Sequence, residues 1–165
     1  MNIFIEEHKE LVECLLACDV SFILVGGYAV NYHGYNRTTG DLDVWVKPDD
    51  GNKAKLIKAL EKYGIESSSL QIVAEFDFTQ TIVFSIGERP FKIDFLTKVQ
   101  GVTYDAADRE KIVAPLDDMN IPFINLNHLV LTKIATGRPQ DKADIQRLQD
   151  VEKAKNKKKQ NDQPF

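Results

Sequence analysis

The sequence predicts an α+β (mixed α/β) domain, with one mixed sheet flanked by helices and a helical C-terminal part. Three observations lead to this fold class. Short apolar or alternating segments of strand length occur at residues 22–25, 41–46 and 91–96. Segments with apolar residues at helical spacing, such as 52–63, lie between them. After residue 125 the strand patterns stop and two helical patterns follow. Strands and helices that mix in this order build a sheet covered by helices.

The individual elements follow from periodicity and from turn residues between them. Helices are predicted over residues 3–18, 28–33, 52–63, 70–74, 103–109, 125–136 and 139–154. Strands are predicted over residues 22–25, 41–46, 81–86, 91–96, 111–116 and 121–124. The segment 87–90, Gly-Glu-Arg-Pro, has the composition of a hairpin turn. The helical pattern at 139–154 begins with proline, which the first turn of a helix tolerates.

Composition limits the class of protein. The chain has 165 residues, of which 43% are hydrophobic and 28% charged, as in an ordinary globular domain. Its net charge of −4 argues against a surface that coats nucleic acid or membrane throughout. No apolar run approaches the roughly 20 residues of a membrane span. Acidic residues near the N-terminus and two cysteines at helical spacing predict no secretory signal, no disulfide framework and a cytoplasmic setting.

The domain organisation is predicted to be simple. Residues 1–152 form one domain, with a core over about 11–124 and C-terminal helices over about 125–152. Residues 153–165 are rich in lysine and otherwise polar, so we expect a disordered basic tail. We find no repeat and no linker that would separate two domains.

Three aspartates are the strongest functional signal. Strand alternation places Asp41 and Asp43 on one side of their strand and Leu42 on the other. Two such carboxylates repel each other unless a cation lies between them, and Mg²⁺ prefers oxygen ligands. Asp94 lies opposite the apolar face of the strand at 91–96. If the two strands are neighbours, the three carboxylates cluster as ligands for one or two metal ions.

Further residues are candidates for binding phosphate. Gly26 and Gly27 follow a predicted strand and precede a predicted helix, so their backbone N–H groups are open to a phosphate. Arg37 precedes the aspartate strand and has the planar side chain that binds phosphate oxygens in pairs. Lys133 shares a helical stripe with apolar residues and must either reach solvent or meet an anion. Both a triphosphate and Asp144 remain open as that anion.

Each of these signals is weak by itself. An Asp-x-Asp motif also occurs in glycosyltransferases that bind sugar nucleotides, although those enzymes usually need a larger domain than this chain can build. Two glycines after a strand are often only a turn. The combination carries the interpretation, namely strand, Gly-Gly, short helix, Asp-x-Asp strand and a later strand with a third acid.

That combination resembles the nucleotidyltransferase superfamily, which has the polymerase-beta-like fold. The resemblance rests on Gly26-Gly27, on Asp41-Leu42-Asp43 and on Asp94. The glycine variant, followed by an arginine and a threonine before the acids, is similar to the branch of AbiEii-type toxins and small lincosamide nucleotidyltransferases. Residues 133–144 resemble a run seen in AbiEii-like proteins, although Gln140 stands where lysine is common.

The resemblance implies an enzyme that uses Mg²⁺ or Mn²⁺ to move a nucleoside monophosphate from an NTP, such as ATP, to an acceptor hydroxyl. The acceptor stays open between an RNA end, including tRNA, a small molecule and a protein. The implied catalytic and metal-binding residues are Asp41, Asp43 and Asp94. The implied nucleotide-binding residues are Gly26, Gly27, Arg37, Thr38 and Lys133.

The resemblance further implies a role in a toxin–antitoxin or phage-defence system, with a cognate antitoxin protein as partner and no membrane. The alternative is a nucleotidyltransferase-like module without catalysis, which would act as a binding protein or an antitoxin. Three clustered acids argue against that alternative, because a binding module has little need of them.

Overall fold

The computed structural model describes residues 3–37 and 39–164. In this part of the chain the helices are α1 (Glu6–Ala17), α2 (Gly26–Tyr32), α3 (Asp50–Tyr63), α4 (Ser67–Glu75), α5 (Tyr104–Arg109), α6 (Leu126–Thr136) and α7 (Pro139–Asn161). The strands are β1 (Phe22–Val25), β2 (Leu42–Val46), β3 (Val83–Ile86), β4 (Ile93–Leu96), β5 (Ile112–Leu116) and β6 (Met119–Phe123). Every predicted helix and strand has a counterpart, with ends that differ by a few residues except at the end of α7.

The strands form one sheet in the order β3-β4-β2-β1-β6-β5. Two pairs, β2 with β4 and β1 with β6, are parallel, and the other three pairs are antiparallel. The predicted mixed sheet is therefore confirmed, together with its helical C-terminal part. Among the described residues, no helix has both the length and the apolar character to cross a bilayer.

The central strand β2 has two different faces. Leu42, Val44 and Val46 are fully buried on one face. Asp43 and Trp45 point to the other, as strand alternation requires. The Trp45 indole N–H donates to the backbone oxygen of Thr97 at 3.2 Å, and its ring meets Tyr104 of α5 edge-on, with the ring centroids 5.3 Å apart. This face is therefore covered near Trp45, while the sheet end that carries Asp43 lines a cavity.

Side-chain caps fix the helices that surround this sheet. The Asp49 carboxylate accepts from the backbone N–H of Asn52 at the start of α3. The Asn52 amide then bonds to the backbone of Ser21 and Lys47, which ties α3 to the ends of β1 and β2. Asn125 caps α6 in the same way, and α6 ends at Gly137, whose left-handed φ of 60° suits glycine.

The last helix extends beyond its predicted end. The sequence predicts a disordered tail from residue 153, but α7 continues to Asn161. Lysine, alanine and glutamine are good helix formers, and they follow a helix that is already nucleated and anchored by buried Leu148. From residue 152 to residue 164 every described side chain is exposed, so this end of α7 extends beyond the body of the domain.

These burial differences predict two unequal effects on stability. Leu148→Ala should lower the free energy of unfolding by about 2–5 kcal/mol, because it opens a cavity under α7. A chain that stops after Glu152 lacks only exposed residues, so its free energy of unfolding should fall by less than about 1 kcal/mol. Denaturant unfolding of both variants measures this, and equal losses would contradict the packing described for α7.

Candidate active site

The structure brings the three predicted acids together. Asp43 in β2 pairs with Asp94 in β4 at the same level of a parallel ladder, so both side chains leave the same face of the sheet. Asp41 lies two residues before Asp43. The Lys92 ammonium lies 3.9 Å from Asp41 Oδ2 and 3.3 Å from Asp94 Oδ1. All three acids line one cavity of about 900 Å³.

Two cations and one hydroxyl that the sequence analysis missed contact these acids. Arg89 places two guanidinium nitrogens 3.3 Å from the two oxygens of Asp41. Lys92 bridges Asp41 and Asp94, as described above, and the Ser85 hydroxyl donates to Asp94 Oδ1 at 2.5 Å. Strand alternation places Lys92, two residues before Asp94, on the same face as Asp94, so the sequence could have identified it. The pairing of the two hairpin strands could likewise have identified Ser85. No periodicity predicts Arg89, because it lies in the turn between β3 and β4.

Asp43 is in an unfavourable electrostatic environment for a charged carboxylate. Burial raises its pKa to about 7, and the negative charges of Asp94 and Asp41 contribute to the same shift. Arg138 and Lys133 act in the opposite direction without cancelling it. A group with such a pKa is half ionised near neutral pH, and a bound cation would favour its charged form.

The two glycines are required by close contacts. Gly26 has a left-handed φ of 65°, and a Cβ on it would lie 2.1 Å from Asp43 Oδ2. A Cβ on Gly27 would lie 2.3 Å from Thr39 Oγ1. The missing side chains therefore let the start of α2 approach the acids and the loop before β2. Because α2 has only seven residues, its backbone N–H groups matter more here than its helix dipole.

Arg37 and Lys133 meet buried carboxylates as well as the cavity. Arg37 Nε lies 3.0 Å from Asp144 Oδ1, and a second guanidinium nitrogen lies 3.2 Å from Asp144 Oδ2. Lys133 Nζ lies 2.8 Å from Asp144 and 3.4 Å from Asp141. Lys133 leans inward as its helical stripe predicts, and it lines the cavity with Asp43. Asp144, one of the two anions left open, is thus its partner in this structure.

The start of α7 completes this group of charges. Arg138 donates from Nε to Asp141 Oδ2 at 2.8 Å, and Gln140 donates to Asp144 Oδ1 at 2.9 Å. Burial alone would raise the pKa of Asp141, but hydrogen bonds from Arg138 and Thr136 outweigh it and hold that pKa below its ordinary value. Arg138 also lines the cavity, and the sequence analysis did not single it out as a site residue.

The acids have the right chemistry for Mg²⁺ but are held by protein cations. Carboxylate oxygens are the ligands that Mg²⁺ prefers. Across residues 3–37 and 39–164, no group of three His, Cys, Asp or Glu side chains is arranged to hold a metal ion. Two of the acids instead face Arg89 and Lys92. Thr38, the remaining predicted nucleotide-binding residue, lies outside the described residues.

Most of the chain matches a known protein family. A family described as "Nucleotidyltransferase of unknown function (DUF6036)" matches residues 3–153. That range contains the sheet, all three acids, both glycines and the first part of α7. No curated protein matches the chain.

The environment of Asp43 predicts a pH-dependent cost of folding. Its pKa is higher in the folded chain than the ordinary 3.8, so the folded state binds more protons between these values. Stability should therefore fall as the pH rises from about 4 to about 7, by about 2–4 kcal/mol from this group. Asp43→Asn should remove the loss and be more stable than the parent at pH 8.

Denaturant unfolding of both proteins at pH 5 and pH 8 measures this difference. Asp118→Asn, at an exposed turn between β5 and β6, is the matched control and should follow the parent at both values. If the difference in unfolding free energy between Asp43→Asn and the parent does not widen as the pH rises, the raised pKa of Asp43 is contradicted.

The contacts of Lys133 predict a large structural cost. Lys133→Met keeps most of the side-chain volume but leaves two buried carboxylates with fewer partners, which should cost about 3–5 kcal/mol of unfolding free energy. Lys111→Met removes a more exposed lysine that pairs with Asp108, and should cost less than about 1 kcal/mol. Thermal unfolding compares the two, and equal melting temperatures would mean that the buried pairs contribute little.

Proposed function

Since the chain belongs to this nucleotidyltransferase family, we propose that it transfers a nucleoside monophosphate from an NTP to an acceptor hydroxyl and releases pyrophosphate. The observation that carries the proposal is the parallel register of Asp43 with Asp94, beside Asp41 and the two glycines. With Arg89 and Lys92 displaced from the carboxylates, Asp41, Asp43 and Asp94 would hold Mg²⁺ or Mn²⁺. The metal would supply positive charge to the phosphate oxygens as the transferred group becomes more negative.

The surroundings of the acids contain groups that suit both halves of an NTP. Gly26, Gly27 and four cations line the part of the site next to Asp41 and Asp43, which suits a triphosphate. These cations are Arg37, Arg89, Lys133 and Arg138. The cavity also has apolar side chains among the polar residues of its lining, and these suit contact with a nucleoside or with the body of an acceptor. This lining includes Val83, Leu96, Val99 and Leu129.

We assign the role of proton acceptor to Asp94. In the proposed step a bond forms between the acceptor oxygen and the α-phosphorus, and the bond from that phosphorus to pyrophosphate breaks. The proton of the acceptor hydroxyl passes to Asp94, whose side chain is partly exposed to the cavity. Ser85 donates to Asp94 Oδ1 and would fix the orientation of that carboxylate.

A module without catalysis is the second candidate, and one observation favours it. Arg89 and Lys92 already neutralise two of the three acids, so the folded chain does not depend on a metal to balance them. In that case the cavity would bind a nucleotide or a partner such as a toxin without any transfer. Under either candidate the toxin–antitoxin role rests on the resemblance to AbiEii-type proteins and is part of the proposal.

Incubation with α-³²P-labelled NTPs and Mg²⁺ separates the two candidates. Each NTP is supplied with total cellular RNA, with a small-molecule extract or with the protein alone, and the labelled product is identified. Asp94→Asn should reduce the rate of labelling by at least about 100-fold, which is the usual contribution of a positioned general base. Asp118→Asn, the same change at a distant turn, should label at the parent rate.

Two outcomes contradict the catalytic proposal. If Asp94→Asn labels acceptors as fast as the parent, Asp94 does not take the proton. If the parent binds an NTP, as a rise in melting temperature would show, yet no acceptor becomes labelled, the chain is a binding module.

A further inference from the structure

The exposed end of α7 carries a dense positive charge in a chain that is acidic as a whole. Residues 153–159 contain five lysines and no acid, while the net charge of the chain is −4. Within the described residues none of these lysines forms a salt bridge, unlike most cations around the cavity. The family match ends at residue 153, so the lysines lie almost entirely outside it.

Three of these lysines continue the stripe by which α7 packs on the domain. Asp144 and Leu148 are buried on this stripe, and Val151 follows at the next turn, where its Cγ1 lies 3.1 Å from the position of a Cβ on Gly34. The helical spacing of three and four residues then leads to Lys155, Lys158 and Lys159. The stripe thus changes from buried to exposed and cationic where α7 leaves the body of the domain.

At Lys155, α7 still lies beside the loop that follows α2. Lys155 Nζ lies 3.7 Å from the position of a Cβ on Gly34, and its charge lowers the pKa of His33, after the larger effect of burial. The lysines that follow stand next to open solvent.

We propose that Lys155, Lys158 and Lys159 bind the phosphate backbone of a nucleic-acid strand and that this strand is the acceptor of the transfer reaction. The acceptor assignment rests on the proposed function, whereas the binding of the strand does not. Repeated lysines without acids between them are the electrostatic feature that binds phosphodiester chains. A lipid surface fits less well, because residues 152–161 contain Ala154 as their one apolar residue and offer no apolar face to insert.

The length of α7 links this surface to the acids. The helix places Asp144 beside Lys133, which lines the cavity, and residues 155–159 lie 11 to 15 positions further along. At about 1.5 Å per residue this separation is about 17–23 Å along the axis. A stacked strand advances about 3.4 Å per nucleotide, so about five to seven nucleotides would connect the lysines with the cavity. A trinucleotide is too short to reach both.

Binding is tested first, without NTP, so that catalysis plays no part. Fluorescence anisotropy measures the affinity for a labelled 12-nucleotide RNA, and for DNA of the same sequence, over a series of salt concentrations. The triple change Lys155→Gln, Lys158→Gln and Lys159→Gln should weaken binding at least about tenfold and reduce the slope of log K against log salt by about 2–3. The control carries Lys55→Gln, Lys58→Gln and Lys62→Gln on exposed positions of α3 and should bind like the parent.

Three binding outcomes would overturn the inference. The first is an unchanged affinity and salt slope in the α7 variant. The second is an equal loss in the α3 control, which would indicate a general effect of charge. The third is binding to vesicles that contain phosphatidylserine without binding to RNA or DNA. The RNA and DNA arms identify which strand is preferred, and circular dichroism confirms that both variants are folded.

Labelling then separates this inference from the proposed function. With the 12-nucleotide strand as acceptor, the α7 variant should transfer more slowly at low strand concentration, while a trinucleotide should be labelled equally by variant and parent. Transfer to small molecules alone would overturn the acceptor assignment and leave the proposed function intact. Strand binding through α7 with no transfer to any acceptor would contradict the proposed function and the acceptor half, and leave the binding surface standing.

Discussion

The parallel pairing of β2 with β4 is the constraint on which the rest of the site depends. Its register sets Asp43 opposite Asp94. The next residue of β2 on the same face is the bulky Trp45. Two carboxylates at this spacing repel each other, and burial makes the repulsion stronger because water cannot screen it. The surrounding residues reflect this cost, since cations from three separate parts of the chain lie around the acids.

These cations fall into two groups with different dependence on the acids. Lys133 and Arg138 are held by Asp141 and Asp144, which are buried and hydrogen-bonded, so their positions do not depend on Asp43. Arg89 and Lys92 are held by Asp41 and Asp94 themselves, and Arg89 is largely exposed. A cation that binds the acids would have to displace the second group and would leave the first in place. The site therefore combines cations that are paired with Asp141 and Asp144 and cations that are paired with the acids themselves.

Much of the fold and the position of the acids could be predicted from the sequence, because both depend on periodicity. Alternation in residues 41–46 and 91–96 placed each acid opposite the apolar face of its own strand, and the three cluster because the two strands are neighbours, as the prediction assumed. The glycines identified the close turn beside them. The pairs Arg37 with Asp144 and Arg89 with Asp41 could not be predicted, because their partners lie 107 and 48 residues away in the chain and no local pattern connects them. The helical state of residues 153–161 was missed, because their composition is typical of disorder while their attachment to a formed helix is not visible in composition.

The position of Trp45 has a practical consequence for optical work on this protein. It is the one tryptophan of the chain, it is buried, and it follows Asp43 by two positions on the same face of β2. Two residues of a strand span about 7 Å, so the indole lies within the range where a change of charge at the acids alters its emission. Fluorescence excited at the red edge of the absorption band thus comes from a single known place. The chain therefore offers an intrinsic fluorophore close to the acids, and no dye has to be attached.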